Sequence, residues 1–264
     1  MEKNIALQIS YDGTCFHGWQ YQANAFSVQE AICNAWLDVA EEEINLIGSS
    51  RTDTGVHAVG IVANFITRSS IPVERIHLAL NPLLPEGVSV MAAREVNREF
   101  NSRFDAIGKH YSYYYYLSSA RPAILRNLSA HIFGEINISK MQAACPLFIG
   151  EKDFAALMDQ GSQVTTTIRE ITHLQVRQIS QEIIQMDVIG TGFLYHMIRI
   201  LAGTLYYVGS GKIELSDLSD LIANKDRTMM GKTMPPQGLF LNKVYYEQEL
   251  FGSDSLAEFN AWAN

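Results

Sequence analysis

The stretch from Gly48 to Ala58, GSSRTDTGVHA, sets one carboxylate, Asp53, between Arg51 and Gly55. Apolar runs on either side, residues 44–47 and 56–66, make it a loop between two strands. Gly48 and Gly55 supply backbone freedom, the hydroxyls of Thr52 and Thr54 offer hydrogen bonds to the carboxylate, and Arg51 offers the charge to hold it ionised. A carboxylate kept in that state can attack an electrophilic carbon or stabilise a developing cation. The plainer reading of the same residues is an Asx turn beside a surface arginine. Hydrolysis by a pair of carboxylates is disfavoured, because no comparable block carries a second acid. Cys15, Cys33 and Cys145 are scattered without CxxC spacing, which argues against a disulfide framework or a structural zinc site.

Elements able to position such a loop are legible on both sides of it. Ile5, Leu7 and Ile9 alternate with polar or small neighbours, so residues 4–10 read as a half-buried strand. A glycine- and aromatic-rich loop follows over residues 11–26. Ser27 and Glu30 then form a capping box before Val28, Ala31, Ile32, Ala35, Trp36 and Val39, which recur at helical spacing. Strands are expected at 44–49 and 57–67, a helix opening at Pro72 and covering 73–80, and a strand over 88–96. Strand, helix, strand, strand, helix, strand is the order of a ferredoxin-like or RNA-recognition-like unit.

The second half opens on a tyrosine-rich strand in which Lys109, Tyr111, Tyr113, Tyr115 and Leu117 share one side, with Tyr114 and Tyr116 on the other. Most of these tyrosines read as cross-strand packing. A helix over 139–149, a hairpin of 168–179 with 182–189, a helix over 193–208, a short helix over 215–223 and a strand over 238–246 complete it. On the 193–208 helix, Arg199 falls roughly 140° round from Leu194 at ~100° per residue, off the buried stripe. The fold class expected is therefore α+β, two ferredoxin-like halves forming a largely antiparallel sheet with helices on one side and a central cleft. The boundary is placed between 1–106 and 107–264.

With 20 Lys+Arg against 28 Asp+Glu the net charge is −8, the opposite of what a nucleic-acid binder usually shows. Much of the acid lies in Glu41-Glu42-Glu43 and in residues 214–220 and 247–254. Arg94, Arg98, Arg103, Lys109, Arg121 and Arg126 fall in one middle region, which suggests a local basic surface on an acidic body. No run of 18 apolar residues and no leader segment stands out, so a cytoplasmic protein with no membrane span is expected.

The Asp53 loop resembles the signature of the tRNA pseudouridine synthase A (TruA) family. So do Tyr11-Asp12-Gly13-Thr14, Gly18-Trp19-Gln20 and Val28-Gln29 near the start, and Phe100-Asn101-Ser102-Arg103-Phe104 with Lys109-His110-Tyr111 in the middle. Phe193-Leu194-Tyr195-His196-Met197-Ile198-Arg199 and Gly238-Leu239-Phe240-Leu241 extend the likeness to nearly the whole chain, in the family's order. The resemblance implies a cofactor-free, metal-free isomerase that turns uridine into pseudouridine in the anticodon stem-loop of tRNA, at the family's positions 38 to 40, and acts as a homodimer. It implies Asp53 as nucleophile, by attack on ring carbon 6 or on the sugar carbon, or by assisting glycal formation. Arg199 would be its partner, and Tyr111 would stack on or bond to the uracil or serve as a base. Leu239 or Leu241 would floor the pocket, and Arg51 would fill the gap left by the extracted base. Phe100, Arg103, Lys109 and Arg121 would contact the RNA. His57 is either a structural hydrogen-bonder or a proton donor, and His196 is read as packing or supporting the site. Ser49-Ser50, Thr54 and Met234 depart from the usual family pattern, which bears on substrate range. A paralogue acting on other RNA uridines and a non-catalytic RNA-binding module are the alternatives.

Overall fold

The computed structural model describes residues 1–161 and 164–252; the end of the expected second half, residues 253–264, with the tip of the acidic tail, lies outside them. Two compact units emerge: residues 1–107 with 240–252, and Gly108–Leu239.

The first unit carries β1 (Lys3–Tyr11), α1 (Val28–Ala40), β2 (Ile47–Gly48), β3 (His57–Thr67), α2 (Ile76–Leu80) and β4 (Val88–Val96). Strand β1 pairs antiparallel with both β3 and β4, placing Leu7 opposite Ala63 and Ala93. Ser27 caps α1, its side chain accepting from Glu30 N at 3.2 Å as the capping box requires. Ala31, Ile32, Ala35 and Trp36 form the buried stripe of α1, and Trp36 meets Phe65 of β3 edge-on at 4.7 Å. The strand expected over 44–49 shrinks to the two residues of β2, paired with Asn64 and Ala63. Ser49 leaves the ladder pattern by donating N–H to Val62 O while its hydroxyl accepts from Val62 N. Val73–Arg75 forms a 3-10 turn ahead of the short α2.

The second unit runs β5 (Gly108–Leu117), β6 (Ala130–Ile132), α3 (Ile138–Ala144), β7 (Gly150–Asp153), β8 (Ile168–Gln178), β9 (Ile183–Gly190), α4 (Met197–Gly209) and α5 (Leu218–Ala223). Its strands lie in the order β5-β9-β8-β7, all antiparallel, and β6 runs parallel beside β5. Tyr113 and Tyr115 are fully buried; the Tyr115 hydroxyl donates to Ala202 O of α4 and that of Tyr113 to Pro235 O. Burial pushes both phenols well above their ordinary pKa, so they are donors and packing groups. Helix α4 is buried almost all round, with Arg199 and Tyr207 its half-buried residues before the last turn ends.

The last strand, β10 (Leu239–Tyr245), runs parallel to β3, Phe240 opposite His57 and Leu241 opposite Ala58. It occupies the same edge of β3 that β2 uses further along. The observed class is α+β with mostly antiparallel sheets, as expected.

Candidate functional site

In the first unit the conspicuous sequence blocks converge on the Asp53 loop. Val56 N donates to Asp53 O at 3.1 Å, closing a four-residue turn, and Gly55 sits at its third position with φ +83°, where only glycine is unstrained. The long opening loop braces this turn from outside. Trp19 N donates to Thr52 O and Gly55 N to Gly13 O, both at 3.2 Å. The Tyr11 and Thr52 hydroxyls share a 2.7 Å hydrogen bond. Gly13 N donates to Nδ1 of His57, a buried ring stacked on Phe240 at 4.4 Å.

These bonds alter part of the local expectation. The Thr52 hydroxyl is engaged with Tyr11, and Thr54 is exposed. Arg51 is exposed and Asp53 half-buried. His57 Nδ1 also lies 3.3 Å from Asp12 Oδ1. Phe100 packs on Tyr246 at 5.2 Å, and its carbonyl accepts from Asn4 and Asn64, while Arg103 lies over the exposed Phe104 ring at 5.5 Å. Leu241 is fully buried.

Two members of the expected basic surface are engaged within this unit. Arg98 pairs with Glu2 at 2.7 Å, and Arg94 donates to the carbonyls of Glu249 and Leu250. The density of arginine in sequence therefore overstates the charge available there to a phosphate.

The second unit holds Lys109, Tyr111, Arg121, Arg199 and Leu239. Tyr111 is buried and meets Phe193 edge-on at 5.4 Å. Arg199 is locked by a reciprocal pair of bonds: Nε donates to Met234 O at 2.7 Å, and Met234 N donates to Arg199 O at 3.2 Å. Its helix begins four residues later than the spacing suggests. His196 stands in the left-handed region at φ 60°, so residues 193–196 are not helical and α4 starts at Met197.

A carboxylate that sequence reasoning did not single out maintains that start. Asp159 lies 2.7 Å from His196 Nδ1, and accepts from Arg227 Nε and from Thr233 Oγ1, each at 2.8 Å. Burial alone would raise its pKa; hydrogen bonds from His196, Thr233 and Arg227 outweigh that and hold it below the ordinary carboxylate range. No local signal betrays this cluster, since its members are 37 to 74 residues away from Asp159. A second carboxylate, the buried Asp187, accepts from Ser112 at 2.5 Å and Gln185 at 2.8 Å and faces His110 at 3.2 Å.

Among the described residues no group of His, Cys, Asp and Glu is arranged to hold a metal ion, and no helix is long and apolar enough to cross a membrane.

A family model described as tRNA pseudouridine synthase matches residues 7–105 and 144–247. A tRNA pseudouridine synthase A of Ruminiclostridium cellulolyticum is 47% identical over 92% of this chain and 100% of its own length. One from Thermoanaerobacter sp. is 44% identical with the same coverage. Among solved structures, a chain of a Cbf5-Nop10-Gar1 complex overlaps at a TM-score of 0.40 and 12% identity, covering 91% of this chain and 50% of that one.

Proposed function

Because this chain belongs to the tRNA pseudouridine synthase A family, we propose that it isomerises uridine to pseudouridine in the anticodon stem-loop of tRNA. What carries this reading is the extent of the match: one family's model covers the Asp53 loop and the Arg199 helix, and relatives are matched over their full length.

In that reaction the bond from uracil N1 to the sugar breaks, the base turns while held, and a bond from C5 to the same sugar carbon forms. C5 gives up its proton and N1 ends with one, so atoms balance and no redox carrier is required. Asp53 is the nucleophile or cation partner. Arg199 keeps that carboxylate ionised and oriented, a role suited to a side chain already fixed by the Met234 carbonyl. Tyr111 lies against the uracil, and Leu239 or Leu241 floors the pocket. Arg51 takes the place of the extracted base, consistent with its exposure beside the braced turn. Phe100, Arg103, Lys109 and Arg121 contact the RNA. The functional division is residues 1–106 for the Asp loop and 107–264 for the tyrosine and arginine. The protein works as a cytoplasmic homodimer, which sedimentation and fractionation would check.

The deciding experiment incubates the protein with an unmodified tRNA transcript carrying 5-tritiated uridine. Tritium release, with pseudouridine mapped by adduct formation to the anticodon arm, is expected from the wild type and not from Asp53→Ala, which should still fold and bind tRNA. Release by Asp53→Ala at the wild-type rate would remove Asp53 from the chemistry; tRNA binding without release from the wild type would leave an RNA-binding module.

A further inference from the structure

We propose that a cleft on the second unit, lined by Arg121, Arg126, Ser129, His131 and Gln237, holds a phosphodiester of the tRNA backbone within a few nucleotides of the reacting uridine. The assignment rests on tRNA being the substrate, as read above.

Charge is the first ground. On a chain of net charge −8, residues 106–134 contain Lys109, Arg121 and Arg126 and neither Asp nor Glu. Among the described residues neither Arg121 nor Arg126 has a carboxylate within ion-pair distance, whereas Arg98 is paired with Glu2, Arg177 with Asp187 and Arg227 with Asp159. Two exposed guanidinium groups lining one cleft without an acidic partner make it a favourable seat for an anion.

Shape is the second. The cleft encloses about 470 Å³, within the usual range of small-ligand sites and ample for a phosphate with its ribose. Its walls are set by internal hydrogen bonds. Arg126 Nη1 donates to Ala123 O at 2.9 Å, using one of the guanidinium's N–H donors and leaving the rest for a ligand. Ser129 Oγ donates to Leu125 O at 3.0 Å, and His131 Nε2 donates to Ser118 O at 2.8 Å. His131 stands in a file of rings between Tyr116 at 6.3 Å and Phe133 at 6.1 Å, and Phe133 is 69% exposed beside the basic wall. Arginines next to an exposed aromatic ring suit a nucleotide strand, whose phosphates and bases alternate, better than a free anion.

Position is the third. Gln237 follows Met234, the residue clamped to Arg199, by three positions, so at most about 11 Å of extended chain separates them. A phosphate seated here therefore belongs to the same arm of the RNA as the base that Arg199 serves.

The test titrates tRNA, and separately the isolated anticodon stem-loop, against the wild type and the double variant Arg121→Ala/Arg126→Ala at several salt concentrations, following fluorescence anisotropy. Both RNAs should bind the variant at least fivefold more weakly at low salt. The slope of log affinity against log salt should be shallower by about 0.7 to 0.9, the value for one phosphate contact. Arg121→Lys/Arg126→Lys should restore most of the slope. If the alanine pair fails to fold, Arg121→Gln/Arg126→Gln serves in its place. Wild-type affinity and slope in the variant, or weakening with an unchanged slope, would overturn the proposal; loss of the effect on the isolated stem-loop would overturn its placement near the reacting base. Tritium release by the wild type is measured alongside, so that a protein with the expected slope but no turnover counts against the function and not against the cleft.

Discussion

The carboxylate of Asp159 lies 2.7 Å from Nδ1 of His196, and the residue it holds is the one whose left-handed backbone starts helix α4 three positions before Arg199. Its bonds run to His196, Arg227 and Thr233, so Asp159 is a positioning residue acting through the turn. Asp159→Ala strands the donors of His196, Arg227 and Thr233, at a cost of about 1–3 kcal/mol. For a chain of this size that lowers the melting temperature by about 2–6 °C. If Arg199 works as proposed, turnover at saturating tRNA falls ~10–100-fold from misplacement alone, with KM little changed. Calorimetry and single-turnover kinetics on the same preparation check both, and Asp159→Asn should recover part of each. Unchanged kinetics in a destabilised variant would reduce the cluster to a structural role.

Asp187 gives a pH signature. Burial pushes its pKa up, but hydrogen bonds from His110, Ser112 and Gln185 prevail and the folded value lies below the ordinary one. A group depressed on folding contributes its stability in full above the unfolded value, about 3.9, and loses it as the pH falls through the folded value. Asp159 follows the same sign. Urea midpoints of the wild type should therefore hold from pH 7 to 5 and drop below about 4, whereas Asp187→Asn should start lower and lose less over the acid interval. A parallel decline in the two proteins would contradict the sign argued here.

Gly203 offers a test of packing. A Cβ on it would stand 1.9 Å from Lys232 O, and one on Gly231 would stand 2.1 Å from Gly203 C, so the helix and the loop cross backbone to backbone. Helix propensity alone favours alanine by about 1 kcal/mol. The clash is with backbone that cannot swing aside, so Gly203→Ala should destabilise by about 1–3 kcal/mol net, read as a lower urea midpoint. A stabilised variant would mean the crossing is looser than described.

Arg51 is exposed beside a turn that is fastened on several sides. If it fills the gap left by the extracted base, Arg51→Ala loses interaction energy that offsets unstacking, and kcat/KM falls by about 10–100-fold. The loss should shrink on a stem-loop whose target uridine is already unpaired. Equal losses on both substrates would point to a simple phosphate contact.

Elements whose cause is local were legible in the chain: the capping box gave α1 to within a residue, alternation gave β1, and the apolar run after the Asp53 loop gave β3. What was not legible depends on distant partners. The start of α4 moved because Asp159, far upstream, holds His196 in a conformation that its own neighbours do not demand. The bond between the Thr52 and Tyr11 hydroxyls joins residues 41 positions apart, which no local pattern announces. The arginine cluster suggested a continuous basic surface, but Glu2 and two carbonyls near residue 250 take Arg98 and Arg94. The short strands β6 and β7 carry too few residues for any alternation to register.

The parallel seating of β10 on β3 bears on the order in which the molecule is made. A ribosome releases residues 1–107 early, yet the edge of β3 at His57 and Ala58, and the ring that stacks on His57, stay unmatched until residues 240–241 emerge. The nascent first unit must therefore wait, with part of a strand edge open, through synthesis of the entire second unit. Truncation just before Phe240 should leave that edge available to other chains, and such a fragment should form larger assemblies than the full-length protein does.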